Sequence, residues 1–145
     1  MLKKSLILTS IFAALLMASA LKFLHFFMFI SWSPVGWSKK WNLFTSDHLM
    51  HYFANWMLLI VALTILFAIV YLLTSFLYAV PPSILSLIIG ISAVVFIEWI
   101  IGKPVSLKET LLSISLPFIA IVLIVLRFLV GTAVFMKRIM ITSSK

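Results

Sequence analysis

The sequence predicts an all-α integral membrane protein, four transmembrane helices in an antiparallel bundle with a tight Pro-Pro hairpin between the second and third, and three observations predict it. Within residues 52–101 only Glu98 carries a charge at neutral pH. At a rise of about 1.5 Å per residue, half of that stretch crosses a hydrocarbon core of about 30 Å, so it holds two crossings. Apolar runs of comparable length flank it on both sides. The composition points the same way: of 145 residues, 65% are hydrophobic and 10% charged. A soluble domain of this size covers its surface with about 25% charged residues, so here most of the surface must face lipid.

The first crossing is expected over residues 5–30, after the basic start Lys3-Lys4. Its opening also has the form of a secretory signal, with Ala18-Ser19-Ala20 as a cleavage site. Continuation of the apolar run through Phe23, Phe26, Phe27 and Phe29 favours an uncleaved crossing. Ser10, Ala14 and Ala18 recur at a spacing of four residues, a small-residue seam along which another helix can approach closely. Residues 31–49 form the longest polar connection, an interfacial loop in which Trp32, Trp37 and Trp41 alternate with Lys39 and Lys40. Indole rings prefer the headgroup level, so the three are expected to anchor the loop there.

The second crossing is expected over residues 50–79 and the third over 83–101, separated at Pro81-Pro82. Paired prolines remove two backbone donors and push the preceding residue out of the helical region. Gly102-Lys103-Pro104 ends the third helix. The fourth crossing is expected over residues 109–136, kinked by Pro117, which would leave the Ser113 carbonyl without its usual partner. Residues 137–145 read as a mobile basic tail. No repeat or low-complexity tract is visible, and the whole chain reads as one membrane domain.

The formal charge of +8 is gathered at the ends of apolar runs, a distribution that suits anionic headgroups and argues against nucleic acid. Lys3, Lys4, Lys137, Arg138 and Lys145 fall on one side of the expected bundle; Lys39, Lys40, Lys103 and Lys108 fall on the other, where Asp47 and Glu109 dilute them. The balance places both termini in the cytoplasm.

Ionisable residues inside a span are costly, so Lys22, His25, Glu98 and Arg127 form a candidate intramembrane polar network. Lys22 and Glu98 are expected at similar depth, where an ion pair would lower the cost of both, with His25 one turn further on. The alternative is that Lys22 snorkels and Glu98 sits at the headgroup boundary. For Arg127 the preferred reading is snorkelling to the inner headgroups. Asp47-His48 and His51 bring three metal-ligand types within one helical turn, but the absence of cysteine and of a second nearby carboxylate argues for capping and interfacial imidazoles instead. With Asp47, Glu98 and Glu109 as the only carboxylates, the inventory is poor for an enzyme, and no catalytic residue, cofactor or metal is expected.

Phe12-Ala13-Ala14, Phe27-x-Phe29, Ser33-Pro34, Trp41 and Tyr71, in that order, resemble the YqhR family of bacterial membrane proteins. The resemblance implies a bacterial plasma-membrane location and carries over no catalytic residue. The expected function is action through helix contacts with itself or with a membrane complex, the lipid bilayer being the other partner. The rival is a small transporter or channel subunit using Lys22, Glu98 and Arg127, and a third reading is a membrane enzyme in which His25, His48 and His51 converge.

Overall fold

The computed structural model describes residues 2–37, 49–102, 106, 108–109, 112 and 114–143. It is all-helical, with four helices packed together: α1 (Leu2–Phe26), α2 (Leu49–Phe76), α3 (Pro82–Gly102) and α4 (Leu116–Ser143). All four are long and apolar enough to cross a membrane. At about 1.5 Å per residue, the 21 residues of α3 match a hydrocarbon core of about 30 Å. The 28 residues of α2 and of α4 exceed it and require tilt or protrusion.

The helix bounds differ most from the sequence expectation at the end of α1 and at both ends of α4. α1 stops at Phe26 because Met28 adopts a left-handed backbone conformation with φ of 58°. Its N–H bonds the His25 carbonyl at 3.2 Å and the next N–H, of Phe29, bonds the Leu24 carbonyl at 2.9 Å. This pair is the Schellman arrangement that satisfies the last carbonyls of a helix. A non-glycine residue in that conformation costs roughly 1–2 kcal/mol. Met28→Gly is therefore expected to raise thermal stability in detergent, and a lowered midpoint would contradict the strain argument.

Pro117 does not kink a helix. It is the second residue of α4, where its missing N–H would have had no intrahelical partner and its fixed φ suits the first turn. The expected kink is thus replaced by a helix start, and the expectation about the Ser113 carbonyl falls outside the described residues. At the other end, α4 runs on to Ser143 instead of giving way to a mobile tail after residue 136. Arg138 explains part of this extension: its Nη2 donates to the Tyr78 carbonyl at 3.1 Å, fastening the helix end to the turn after α2, while the Thr142 hydroxyl donates to the Arg138 carbonyl at 3.0 Å.

Around Pro81-Pro82 the chain leaves α2 at Phe76 and enters α3 at Pro82. The N–H groups of Ile84 and Leu85 both bond the Pro81 carbonyl, and Val80 N–H bonds the Leu77 carbonyl at 3.0 Å. α2 and α3 are nonetheless not among the closely packed pairs, which are α1 with α2, α1 with α4, α2 with α4 and α3 with α4. α4 therefore touches each of the others. Its core face holds Phe118, Val122, Leu126, Leu129 and Ala133, all buried.

Ser5 Oγ, near the start of α1, lies 3.1 Å from the hydroxyl of Tyr71, near the end of α2. Lys22, near the end of α1, lies over Trp56, near the start of α2. Leu85 of α3 packs with Val130 and Val134 of α4, and a Cβ at Gly90, further along α3, would lie 2.6 Å from Leu123 Cδ2. Tyr71 is fully buried. Tyr71→Phe should cost roughly 0.6 kcal/mol, a typical interhelical hydrogen bond in a bilayer, measured as a shift in unfolding midpoint, with Ser5→Ala giving no further loss in the double variant.

Large apolar side chains also stand exposed on every helix, among them Leu8 and Phe12 on α1, Phe53 and Ile65 on α2, Ile88 and Phe96 on α3, and Ile124 and Phe135 on α4. A helix apolar all round is stable only where lipid or another helix covers its outer face. Three threonine hydroxyls within the spans bond their own helix: Thr64 to the Ile60 carbonyl at 2.8 Å, Thr74 to that of Val70 at 2.9 Å and Thr132 to that of Phe128 at 2.9 Å. Such back-bonding lets a hydroxyl sit in an apolar layer without a partner helix.

Candidate functional site

Of the ionisable residues singled out in the sequence, Lys22 and Arg127 line different grooves of the bundle. Lys22 is exposed, and its Nζ lies 5.7 Å from the centroid of the Trp56 ring. A cation over an indole face is attracted by the ring quadrupole. Leu15, Ala18, Tyr52, Phe53 and Ile60 complete a groove around this pair between α1 and α2. Tyr52 turns its ring edge-on to Trp56 with centroids 6.3 Å apart.

Glu98 lies elsewhere. It is buried on α3, in register at spacing four with Ser86, Gly90 and Val94, the face that packs on α4. No ion pair or hydrogen bond joins its carboxylate to Lys22, or to any other group, among the described residues. The expected Lys22–Glu98 pair is not formed, because Lys22 is committed to the α1–α2 groove while Glu98 faces the α3–α4 contact. With no cation beside it among the described residues, the Glu98 carboxylate gains no ion-pair stabilisation there. Glu98→Gln is accordingly expected to leave stability unchanged or to raise it; a fall in melting temperature would mean that the carboxylate has a partner in the membrane.

Arg127 is exposed near the middle of α4 and opens into a groove against the start of α3. His25 is also exposed, with its backbone carbonyl engaged in the cap of α1. Lys22 and Arg127 of the expected polar network thus line two separate grooves. Asp47 and His48 lie outside the described residues, and among those described no group of three or more metal-ligating side chains comes together.

The small-residue positions Ser10, Ala14 and Ala18 all lie on the buried face of α1. Ser10 is fully buried and its hydroxyl has no hydrogen-bond partner among the described residues. Of the expected anchors, Trp41 lies outside the described residues. Trp32 turns inward and meets Phe118 edge-to-face with ring centroids 5.6 Å apart, while Trp37 donates its indole N–H to the Pro34 carbonyl at 3.0 Å. Trp32 therefore closes the end of the core instead of lying free at the headgroups.

Several participants carried no sequence signal. Trp56 and Tyr52 lie within the expected second span, and Ser83 is the first residue of the expected third. Only the packing of α1 on α2, and of α3 on α4, gives them polar neighbours. Comparison with protein-family models, curated proteins and solved structures finds no match.

Proposed function

We propose that this chain is a non-catalytic multi-pass protein of a bacterial plasma membrane, crossing it alternately up and down with both termini in the cytoplasm, and acting through helix contacts with itself or with a larger membrane complex. The observation that carries this reading is the combination of exposed apolar side chains on all four helices with Lys22 and Arg127 held in separate grooves. A transport path needs its polar groups on one connected, wettable surface, whereas an interaction protein needs apolar faces and close-packing seams. Support for the alternating course comes from Ser5 meeting Tyr71 while Lys22 meets Trp56, and from Leu85 meeting Val130 while Gly90 approaches Leu123. Kinship with YqhR-like proteins rests on the motif resemblance alone.

The test is affinity purification from native membranes under mild detergent, combined with single-cysteine accessibility. A stoichiometric partner or a second copy is expected, with Ser33→Cys labelled from outside intact cells and Lys145→Cys protected. Solute or ion flux through liposomes of the purified protein, abolished by Lys22→Gln or Arg127→Gln, would replace the interaction reading with the transport one.

A further inference from the structure

We infer that the groove between α3 and α4 around Arg127 is a binding site for an anionic phospholipid, its phosphate held by the Arg127 guanidinium and the Ser83 hydroxyl and one acyl chain laid along Leu87, Leu123 and Ile124. The groove encloses about 360 Å³ and is lined by Ser83, Ser86, Leu87, Leu123, Ile124 and Arg127. Its chemistry is divided as a lipid is divided. Ser83 is the second residue of α3, beside the turn at Pro81-Pro82, and its side chain makes no hydrogen bond among the described residues. Ser86 is already engaged, donating to the Ser83 carbonyl at 3.0 Å, and so helps fix the backbone that presents Ser83. The remaining walls are leucine and isoleucine.

Arg127 requires an anion more than Arg138 or Lys22 does. Arg138 reaches the Tyr78 carbonyl, and Lys22 lies over Trp56. Arg127 makes no hydrogen bond or ion pair among the described residues. At about 1.5 Å per residue it stands about 16 Å along α4 from Arg138, too deep for bulk water to solvate it cheaply. Running toward Ser83, its stem can lie along the groove while the guanidinium reaches the headgroup layer. Two donors in one plane suit a phosphodiester.

Charge complementarity extends over that whole end of the bundle. The start of α1 contributes Lys3 and Lys4, and the end of α4 contributes Lys137 and Arg138. The contacts of Ser5 with Tyr71 and of Arg138 with Tyr78 gather these at the end where α3 begins. Glu98 lies toward the opposite end of α3, and Glu109 follows that end in the chain. Such a surface attracts anionic headgroups, and in this groove a cation, a free hydroxyl and an apolar trough adjoin.

This inference rests on the membrane reading above but not on any protein partner. Its test is native mass spectrometry of the detergent-purified, delipidated protein titrated with phosphatidylglycerol or with phosphatidylcholine of the same chains. The wild type is expected to retain one phosphatidylglycerol with about tenfold preference over phosphatidylcholine. Arg127→Gln should bring the two lipids to parity, Arg127→Lys should keep part of the preference, and Ser83→Leu, which blocks the groove with Arg127 intact, should also reduce it. Circular dichroism identifies any variant that fails to fold, and Ser83→Leu then carries the test. Equal retention of both lipids by the wild type, an undiminished preference in both Arg127→Gln and Ser83→Leu, or an Arg127-dependent dimer in place of bound lipid would each overturn the assignment. Loss of the expected partner in the native-membrane purification would leave the lipid count unmoved, so the two readings fail separately.

Discussion

Phe118→Ala is expected to be the most damaging single truncation, lowering the free energy of unfolding by about 2–3 kcal/mol. Phe118 is fully buried in the first turn of α4, and it meets Trp32 edge-to-face. In a water-soluble core, removing a buried phenylalanine costs about 3–5 kcal/mol, because transfer and cavity terms add. In a bilayer the separated helices keep the ring in an apolar medium, so most of the transfer term vanishes and the lost contacts and cavity remain. Trp32 also loses the surface that holds it inward. Unfolding in mixed micelles, followed by tryptophan fluorescence, should show a lower midpoint and a changed emission spectrum. A wild-type midpoint would mean that Trp32 does not close the core.

Gly90→Leu should cost about 1–3 kcal/mol by overpacking. A Cβ at this position would lie 2.6 Å from Leu123 Cδ2 and 3.4 Å from Leu126 Cδ1, so α3 approaches α4 through the missing side chain. Gly90→Ala is expected to be far milder, since Leu123 Cδ2 is the free end of a flexible side chain that can rotate away, and alanine gains helix propensity of up to about 1 kcal/mol. The contrast between the two substitutions is the diagnostic result. Equal melting temperatures for wild type and Gly90→Leu would show that α3 and α4 separate easily.

The four spans were legible because the apolar requirement of a crossing is long and redundant. Their ends were less so. Met28 stops α1 through a conformation that asparagine or glycine would have announced and methionine does not, and Pro117 reads equally as a kink or as a first turn until the residues before it are placed. The extension of α4 depends on Arg138 reaching Tyr78, a contact across a separation in sequence that no local pattern encodes. The candidate sites were harder still. Lys22, Glu98 and Arg127 were conspicuous as charges, but depth along a helix does not specify direction around it. Lys22 and Glu98 were expected to meet because their depths match, yet they face different neighbours. The buried stripe of α1 was readable because small residues leave little else for that face to do, whereas the aromatic partner of Lys22 is distinguishable from its neighbours only by its azimuth on α2.

The central position of α4 bears on biosynthesis. The helix that contacts each of the other three is the one translated after them, so α1, α2 and α3 emerge from the ribosome before the surface that joins them exists. Chains stalled ahead of residue 116 would enter the membrane with the α3 face around Gly90 and Val94 uncovered, and they would offer quality-control proteases a substrate that the finished bundle withholds.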